Sequence, residues 1–219
     1  MNSYLWDMET KLTLLGKSDA TITMIMDNLE SSWQFIPRID IVNNLHLPIE
    51  HTFDNPKFRW EMVDEIKDRQ GMFALGVSNA YTKMKVVDSF DIQDLLFINI
   101  IHKTAVISST ANLGKGLLIN NLATIGAHAQ IGNFVNISNR ATVNHHTVLE
   151  DFVSINPGVD VAGHVHIGRG TLIGIGATIS NGITIGKNSI IGAGSVVVRD
   201  IPDDVVAYGN PCKIMRKNG

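Results

Sequence analysis

The sequence predicts a small parallel α/β sheet over residues 1–101, a triangular parallel β-helix over 102–200 and a short C-terminal cap over 201–219. Three observations predict it. From Ala105 to Asp200 one six-residue unit is written sixteen times without an insertion: AVISST, ANLGKG, LLINNL, ATIGAH, AQIGNF, VNISNR, ATVNHH, TVLEDF, VSINPG, VDVAGH, VHIGRG, TLIGIG, ATISNG, ITIGKN, SIIGAG, SVVVRD. Upstream of it, apolar runs alternate with helix-forming stretches at the spacing of strand–helix units. Composition also shifts near residue 100, because Trp6, Trp33 and Trp60 all precede it and glycine concentrates after it.

In the first part, Leu12–Leu15 is a short apolar run ending at Gly16, and Ser18 or Asp19 can cap a helix over Ala20–Leu29. Residues 34–42 read as a second strand with Asp40 near its end, residues 60–68 as a helix, and residues 72–77 as a third strand reaching Ser78 and Asn79. A helix over residues 80–87 and a strand over 95–101 complete an α/β alternation. Ligands of such sheets sit beyond the carboxyl ends of the strands. The turn Gly16-Lys17-Ser18 is therefore a candidate anion site at a helix N-terminus. It has one glycine where a dinucleotide fingerprint needs three, and an ordinary βα turn reads the same way.

In the repeat, the third place is Ile, Leu or Val in all sixteen units, from Ile107 to Val197, and the fourth is mostly Gly, Ser or Asn. No single unit can bury its own aliphatic residue, so the units must stack as a solenoid. Three units make one triangular coil, the third-place aliphatics fill the interior, and the small fourth-place residues are expected to take the corner dihedrals. With coils about 4.8 Å apart the prism is roughly 25 Å long. Parallel crossovers are normally right-handed; the hexad count itself does not choose a hand.

Residues eighteen apart then stack. His128, His146 and His164 form one such series at sixth places, and Phe134 and Phe152 another. His145 falls between Ala127 and Gly163, both too small to cover it. A histidine in such an opening can act as a base near neutral pH, and the Gly163 N–H one coil on can meet a developing oxyanion. His128, His164 and His166 read as exposed surface residues. No Ser or Cys stands in a nucleophile-elbow setting, which favours direct transfer over a covalent intermediate.

Composition excludes several classes. Eighteen Lys and Arg against 21 Asp and Glu give a net charge of −3, with no basic run suited to nucleic acid or anionic membrane. The longest apolar runs, such as Leu95–Ile98, are far too short to span a bilayer. One cysteine, Cys212, rules out an internal disulfide and suits a reducing compartment. The opening MNSYLWDMETK lacks the apolar stretch of a signal peptide, so a cytoplasmic location is expected.

Several stretches carry a family likeness across nearly the whole chain. They are Leu14-Leu15-Gly16, Ile101-His102, the run from Val143 to Val148, Asn156-Pro157-Gly158, Ala162-Gly163, Ile191-Gly192-Ala193-Gly194 and Gly209-Asn210-Pro211. In these the chain resembles the hexapeptide-repeat acyltransferases, and within them the sialic acid O-acetyltransferase and UDP-bacillosamine N-acetyltransferase family. The resemblance implies a Rossmann-like acceptor-binding domain ahead of a left-handed parallel β-helix. It also implies a homotrimer with sites between neighbouring prisms, and acetyl-CoA as co-substrate. The acceptor it implies is a nucleotide-linked amino sugar of surface-glycan biosynthesis. His145 falls on the family's general base and Gly163 on the position whose N–H meets the thioester carbonyl. Ile175 and Ala193 fall where coenzyme A lies, with the Gly209–Pro211 turn near its adenine end. Gly16, Lys17, Ser18 and Asp40 fall to the acceptor.

Three departures stand against the family pattern. His146 replaces the acidic residue that usually follows the base, Ser154 replaces a second active-site histidine near the cofactor, and Lys17-Ser18-Asp19-Ala20 replaces a glycine-rich acceptor loop. O-acetylation of a sialic-acid-like sugar is the near alternative. A zinc hydratase of the γ-carbonic-anhydrase type uses the same prism, and His128 and His164 have its two-coil separation. Its companion histidine falls on Arg169, so a three-ligand site is incomplete and no metal is expected. A trimeric scaffold without activity is the third reading, against which the opening around His145 counts.

Overall fold

The structure is a computed structural model that describes residues 11–32, 38–43, 57–66 and 68–219. Its first part is a five-stranded parallel sheet. The strands are β1 (Lys11–Leu15), β2 (Arg38–Val42), β3 (Trp60–Val63), β4 (Met72–Leu75) and β5 (Leu96–Phe97), in the order β3-β2-β1-β4-β5. Helix α1 (Asp19–Ser32) follows β1, and α2 (Ala80–Asp88) follows β4. The helix expected over Ala20–Leu29 is present but runs from Asp19 to Ser32, so Asp19 lies in its first turn, and Asn79 caps α2 by accepting the Thr82 N–H at 3.1 Å.

Three expectations change. Among the described residues of 60–68 there is no helix: Trp60–Val63 is β3, paired in register with Ile39–Val42. Pairing at the sheet edge overrides the helix-forming Glu61 and Met62. Residues 95–101 do not form one strand. Leu96–Phe97 ends the first sheet and Ile100–Ile101 begins the prism by pairing with Leu118–Ile119. Asp40 lies in the middle of β2, opposite Thr13, rather than near its end. The beginning of the expected second strand, residues 34–37, and the N-terminal decapeptide lie outside the described residues.

The second part is the expected three-faced prism, with sheets of six, five and eight strands that are parallel throughout except for the last strand of the eight-stranded sheet. Register fixes the coil at eighteen residues: Thr124 pairs with Thr142, Thr142 with Asp160 and Asp160 with Thr178. Third-place residues such as Ile137, Ile155, Ile173 and Ile191 are fully buried ladders. Removing that apolar surface from water is the main term holding the coils together.

The corner chemistry differs from expectation. Left-handed dihedrals fall at the sixth place, not the fourth: φ is 58° at His128, 59° at His146, 56° at His164, 57° at Phe134 and 62° at Phe152. The fourth place is small because the next coil passes close by. A Cβ on Gly126 would lie 2.7 Å from the His145 backbone nitrogen.

The α/β part packs on the eight-stranded face and its neighbouring vertex. Leu118 joins a core with Ile22, Ile25 and Ile41, while Phe134 and Phe152 join one with Leu75, Val86 and Phe97. Phe134 stacks on Phe152 at 5.2 Å and meets Phe97 edge-on at 4.9 Å. Polar ties cross the same seam: Asn28 Nδ2 donates to Asn120 Oδ1 at 2.8 Å, and Lys83 Nζ to the Phe134 carbonyl at 2.6 Å. Burial lowers the Lys83 pKa to about 7.

At the far end Val205–Tyr208 extends the eight-stranded sheet and Lys213–Lys217 returns antiparallel, forming the cap. Cys212 packs against the prism core, and burial raises its thiol pKa. Among the described residues no helix is long and apolar enough to cross a membrane.

Candidate active site

The vertex between the six- and five-stranded sheets lies opposite the face that the α/β part covers. His145 and His146 occupy its turn, after the strand Thr142–Val143. The turn is tied to the next coil. Asn144 donates from its backbone N–H and its side-chain amide to the Val161 carbonyl, at 3.0 and 2.8 Å. Thr147 Oγ1 donates to the Ala162 carbonyl at 2.9 Å and accepts the Val165 N–H at 3.2 Å. The His145 carbonyl accepts the His164 N–H at 3.0 Å, and the His146 N–H reaches the Ala127 carbonyl at 2.9 Å.

The expected opening under His145 is present and filled by its own ring. A Cβ on Gly163 would lie 2.5 Å from His145 Cε1, 2.7 Å from Nε2 and 3.0 Å from Nδ1. Only glycine lets the imidazole rest there. His145 Nδ1 and His146 Nδ1 are 3.1 Å apart, so one ring donates and the other accepts. His146 also stacks on His164 with centroids 4.8 Å apart and planes at 10°, and packs on His128 at 5.0 Å. Partial desolvation, followed by repulsion from His164, His128 and His145, lowers the pKa of His146.

His128 and His164 are thus surface residues, as expected, but they are also the two ends of a ladder that electrostatically biases His146. Their eighteen-residue spacing showed that they stack; it did not show that His164 also reaches His145, at 5.2 Å between centroids. His166 belongs elsewhere, with Nε2 2.7 Å from Glu150 Oε1, and that contact is the main cause of a lowered Glu150 pKa.

The remaining candidates sit at other places. Ile175 and Ala193 are both exposed and share the other vertex of the six-stranded sheet. Ser154 is buried on the eight-stranded face, where its hydroxyl donates to the Ser78 carbonyl at 3.2 Å. Ser78 follows β4, and Gly16 follows β1, so Ser154 borders the crevice where the strand order of the first sheet reverses. At that crevice Gly16 has φ of 80° and its carbonyl touches the turn at Gly76, where a Cβ would lie 2.3 Å away. Lys17 is only 3% exposed, with Nζ 2.9 Å from Asp19 Oδ1. Ser18 Oγ accepts from Thr21 Oγ1 at 3.2 Å. Asp40 is buried at 1% exposure and pairs with Lys11 and, at 3.7 Å, Arg38. Its place in mid-strand separates it from the Gly16 turn.

Residues 164–199 match the bacterial transferase hexapeptide (six repeats) family. No curated protein matches the chain in sequence. Solved structures match it over nearly its whole length. A point mutant of GDP-perosamine N-acetyl transferase from Caulobacter crescentus, in complex with CoA and GDP-perosamine, is 25% identical with a TM-score of 0.81, over 95% of this chain and 98% of that one. The acetyltransferase domain of PglB from Neisseria gonorrhoeae FA1090, in complex with acetyl coenzyme A, is 24% identical with a TM-score of 0.83, over 94% and 100%. WeeI from Acinetobacter baumannii AYE is 18% identical with a TM-score of 0.66, over 95% and 100%.

The chain shares the fold of the hexapeptide-repeat acetyltransferases. The acetyltransferase fold here includes both parts, since the coverage extends through the α/β sheet as well as the prism.

Proposed function

We propose that the protein transfers an acetyl group from acetyl-CoA to the amino group of a nucleotide-linked sugar. The observation that carries this is the His145 imidazole resting on Gly163 and hydrogen-bonded to His146 at 3.1 Å. His145 in the Nδ1–H tautomer donates to His146 and leaves Nε2 with a free lone pair. The sugar amine attacks the thioester carbonyl carbon while Nε2 takes its proton. The oxyanion develops against the Gly163 N–H. Collapse breaks the carbon–sulfur bond, and the departing thiolate takes the proton back from His145, leaving the acetamido sugar and CoA thiol.

His146 does here what an acidic residue does in the family pattern, by weaker means. It is neutral, so it orients His145 and accepts its Nδ1–H without adding a negative charge. Its lowered pKa disfavours a positive charge on His146 itself.

The acceptor crevice at Gly16–Ser18 and the base at His145 lie on opposite sides of one prism. A complete site therefore needs a second copy, and a homotrimer with sites between prisms supplies it. Coenzyme A then runs along the six-stranded face from His145 towards Ile175 and Ala193, which flank that face. The comparison proteins in complex with CoA, acetyl coenzyme A and GDP-perosamine support the donor and the nucleotide-linked acceptor. Both substrates are cytoplasmic metabolites, and the reaction belongs in that compartment.

Thiol release from acetyl-CoA, measured against a panel of nucleotide-linked amino sugars and sialic acids, tests the reading. An amino sugar should support turnover, and His145→Ala should lower it by about the 10²–10⁴-fold typical of a lost general base. Release with sialic acids alone, or near-normal turnover in the variant, would overturn it.

A further inference from the structure

We propose that His145, His146 and His164 form a binding site for a Zn²⁺-class divalent metal, and that its occupation switches the transferase off. Each of the three imidazoles presents a ring nitrogen, and these nitrogens all lie within 4.8 Å of one another. Two of them, His145 Nδ1 and His146 Nδ1, are already 3.1 Å apart. Two nitrogens on one tetrahedral zinc, each about 2.05 Å from the ion, are about 3.3 Å apart. The first pair therefore has the bite of a chelate without moving. His164, stacked on His146 at 4.8 Å, has to tilt inward to supply the third nitrogen. All three side chains are exposed on the single chain, so nothing within it blocks that rotation.

Three histidines with an open fourth position are a donor set that zinc accepts, with water completing the tetrahedron. The rings are neutral when they bind, as metal ligation requires, and each keeps its one proton on the nitrogen turned away from the ion. Left-handed corners at His146 and His164 fix both Cα–Cβ directions in the same sense, so the ladder is held by the backbone rather than by chance rotamers. This is not the hydratase arrangement weighed from the sequence. That one used His128 and His164 with a partner at Arg169, whereas here His145 supplies the third ligand.

Inhibition follows from the proposed mechanism and rests on it. A metal on His145 breaks its hydrogen bond to His146 and occupies the ring that has to accept the proton. Metal binding itself does not rest on that mechanism, so two readouts keep them apart.

The first readout is calorimetric titration of the untagged full-length protein with ZnCl₂, together with the visible d–d absorption of the Co²⁺-loaded protein. One ion per protomer is expected, with the spectrum of a tetrahedral site. His164→Asn is the diagnostic variant, because Asn tolerates the left-handed corner and His164 neither takes nor gives the transferred proton. It should bind at least about tenfold more weakly, since losing a ligand costs no less than losing a second-shell partner. The second readout is thiol release. Zinc should inhibit the wild type at the concentration that saturates the titration, while the zinc needed to inhibit His164→Asn, measured against that variant's own zinc-free rate, should rise at least about tenfold. Absence of saturable binding, or binding unchanged in His164→Asn, overturns the site. Saturable binding lost in His164→Asn but without effect on turnover overturns the switch. A protein that binds zinc as described but never releases thiol overturns the proposed function and leaves the site standing.

Discussion

Gly163→Ala separates catalytic geometry from folding more cleanly than removal of His145 does. An added Cβ would meet His145 Cε1 at 2.5 Å, and ordinary van der Waals contact begins at about 3.4 Å. The ring must therefore retreat by about 0.9 Å, the difference between those distances. The ring is the far end of an exposed side chain and can swing off its rotamer, so the cost to stability is small, on the order of 1 kcal/mol. A displacement of about 1 Å at a reacting group can cost about 10²-fold in rate. The expected result is a fall in kcat of that order with a nearly unchanged thermal midpoint and an unchanged affinity for CoA by calorimetry. Two results would refute the reasoning. Near-normal kcat would mean that His145 does not act from its seat on Gly163, and a large loss of thermal stability would mean that Gly163 serves the fold.

Other expectations address the remaining links. His146→Asp, which keeps a residue tolerant of left-handed φ, places a carboxylate beside His145 and favours its protonated form; the acidic limb of the kcat/KM profile should move to higher pH, and an unmoved limb would remove His146 from the relay. Burial of Lys83 gives a stability slope with a definite sign. Between about 7 and its usual 10.5 the unfolded chain holds a proton that the folded chain has lost, so stability rises with pH across that window. The gap corresponds to at most about 5 kcal/mol; urea unfolding of wild type against Lys83→Met should show wild type gaining relative to the variant from pH 7 to 10, and parallel curves would contradict the burial. Phe134→Ala removes a ring packed between Phe97 and Phe152 and should cost about 3–5 kcal/mol in the same assay.

The prism was legible because its constraint is periodic. One aliphatic every six residues leaves a single way to bury the ladder, and Ile125, Val143 and Val161 align as the count requires. The corner dihedral was assigned to the wrong place for an instructive reason. Small residues at the fourth place suggested permissive backbone, yet their smallness answers the close passage of the next coil, as at Gly126. The left-handed corner falls on His, Phe and Arg as readily as on Gly, because stacked coils over-determine it and absorb its cost. Trp60–Val63 was misread because its strand character comes from β2 alongside, which no local window contains.

The histidine site was half legible for the same reason. Stacking arithmetic placed His145 over Gly163 and His146 in line with His128 and His164, because those are translations along the coil axis. It could not show the contact of His145 with His146, or the reach of His164 towards His145, because those depend on ring rotation about a vertex. The acceptor crevice was least legible. The pairing of Lys17 with Asp19, and of Asp40 with Lys11 and Arg38, shows why: charges that looked available to a phosphate already answer one another. A diphosphate at the Gly16 turn has to compete with Asp19 for Lys17, or be held by backbone N–H groups at the start of α1 instead. Acceptor binding through Lys17 should therefore strengthen in Asp19→Asn, whereas binding through the backbone should hardly change. Titration of that variant with a nucleoside diphosphate decides between the two.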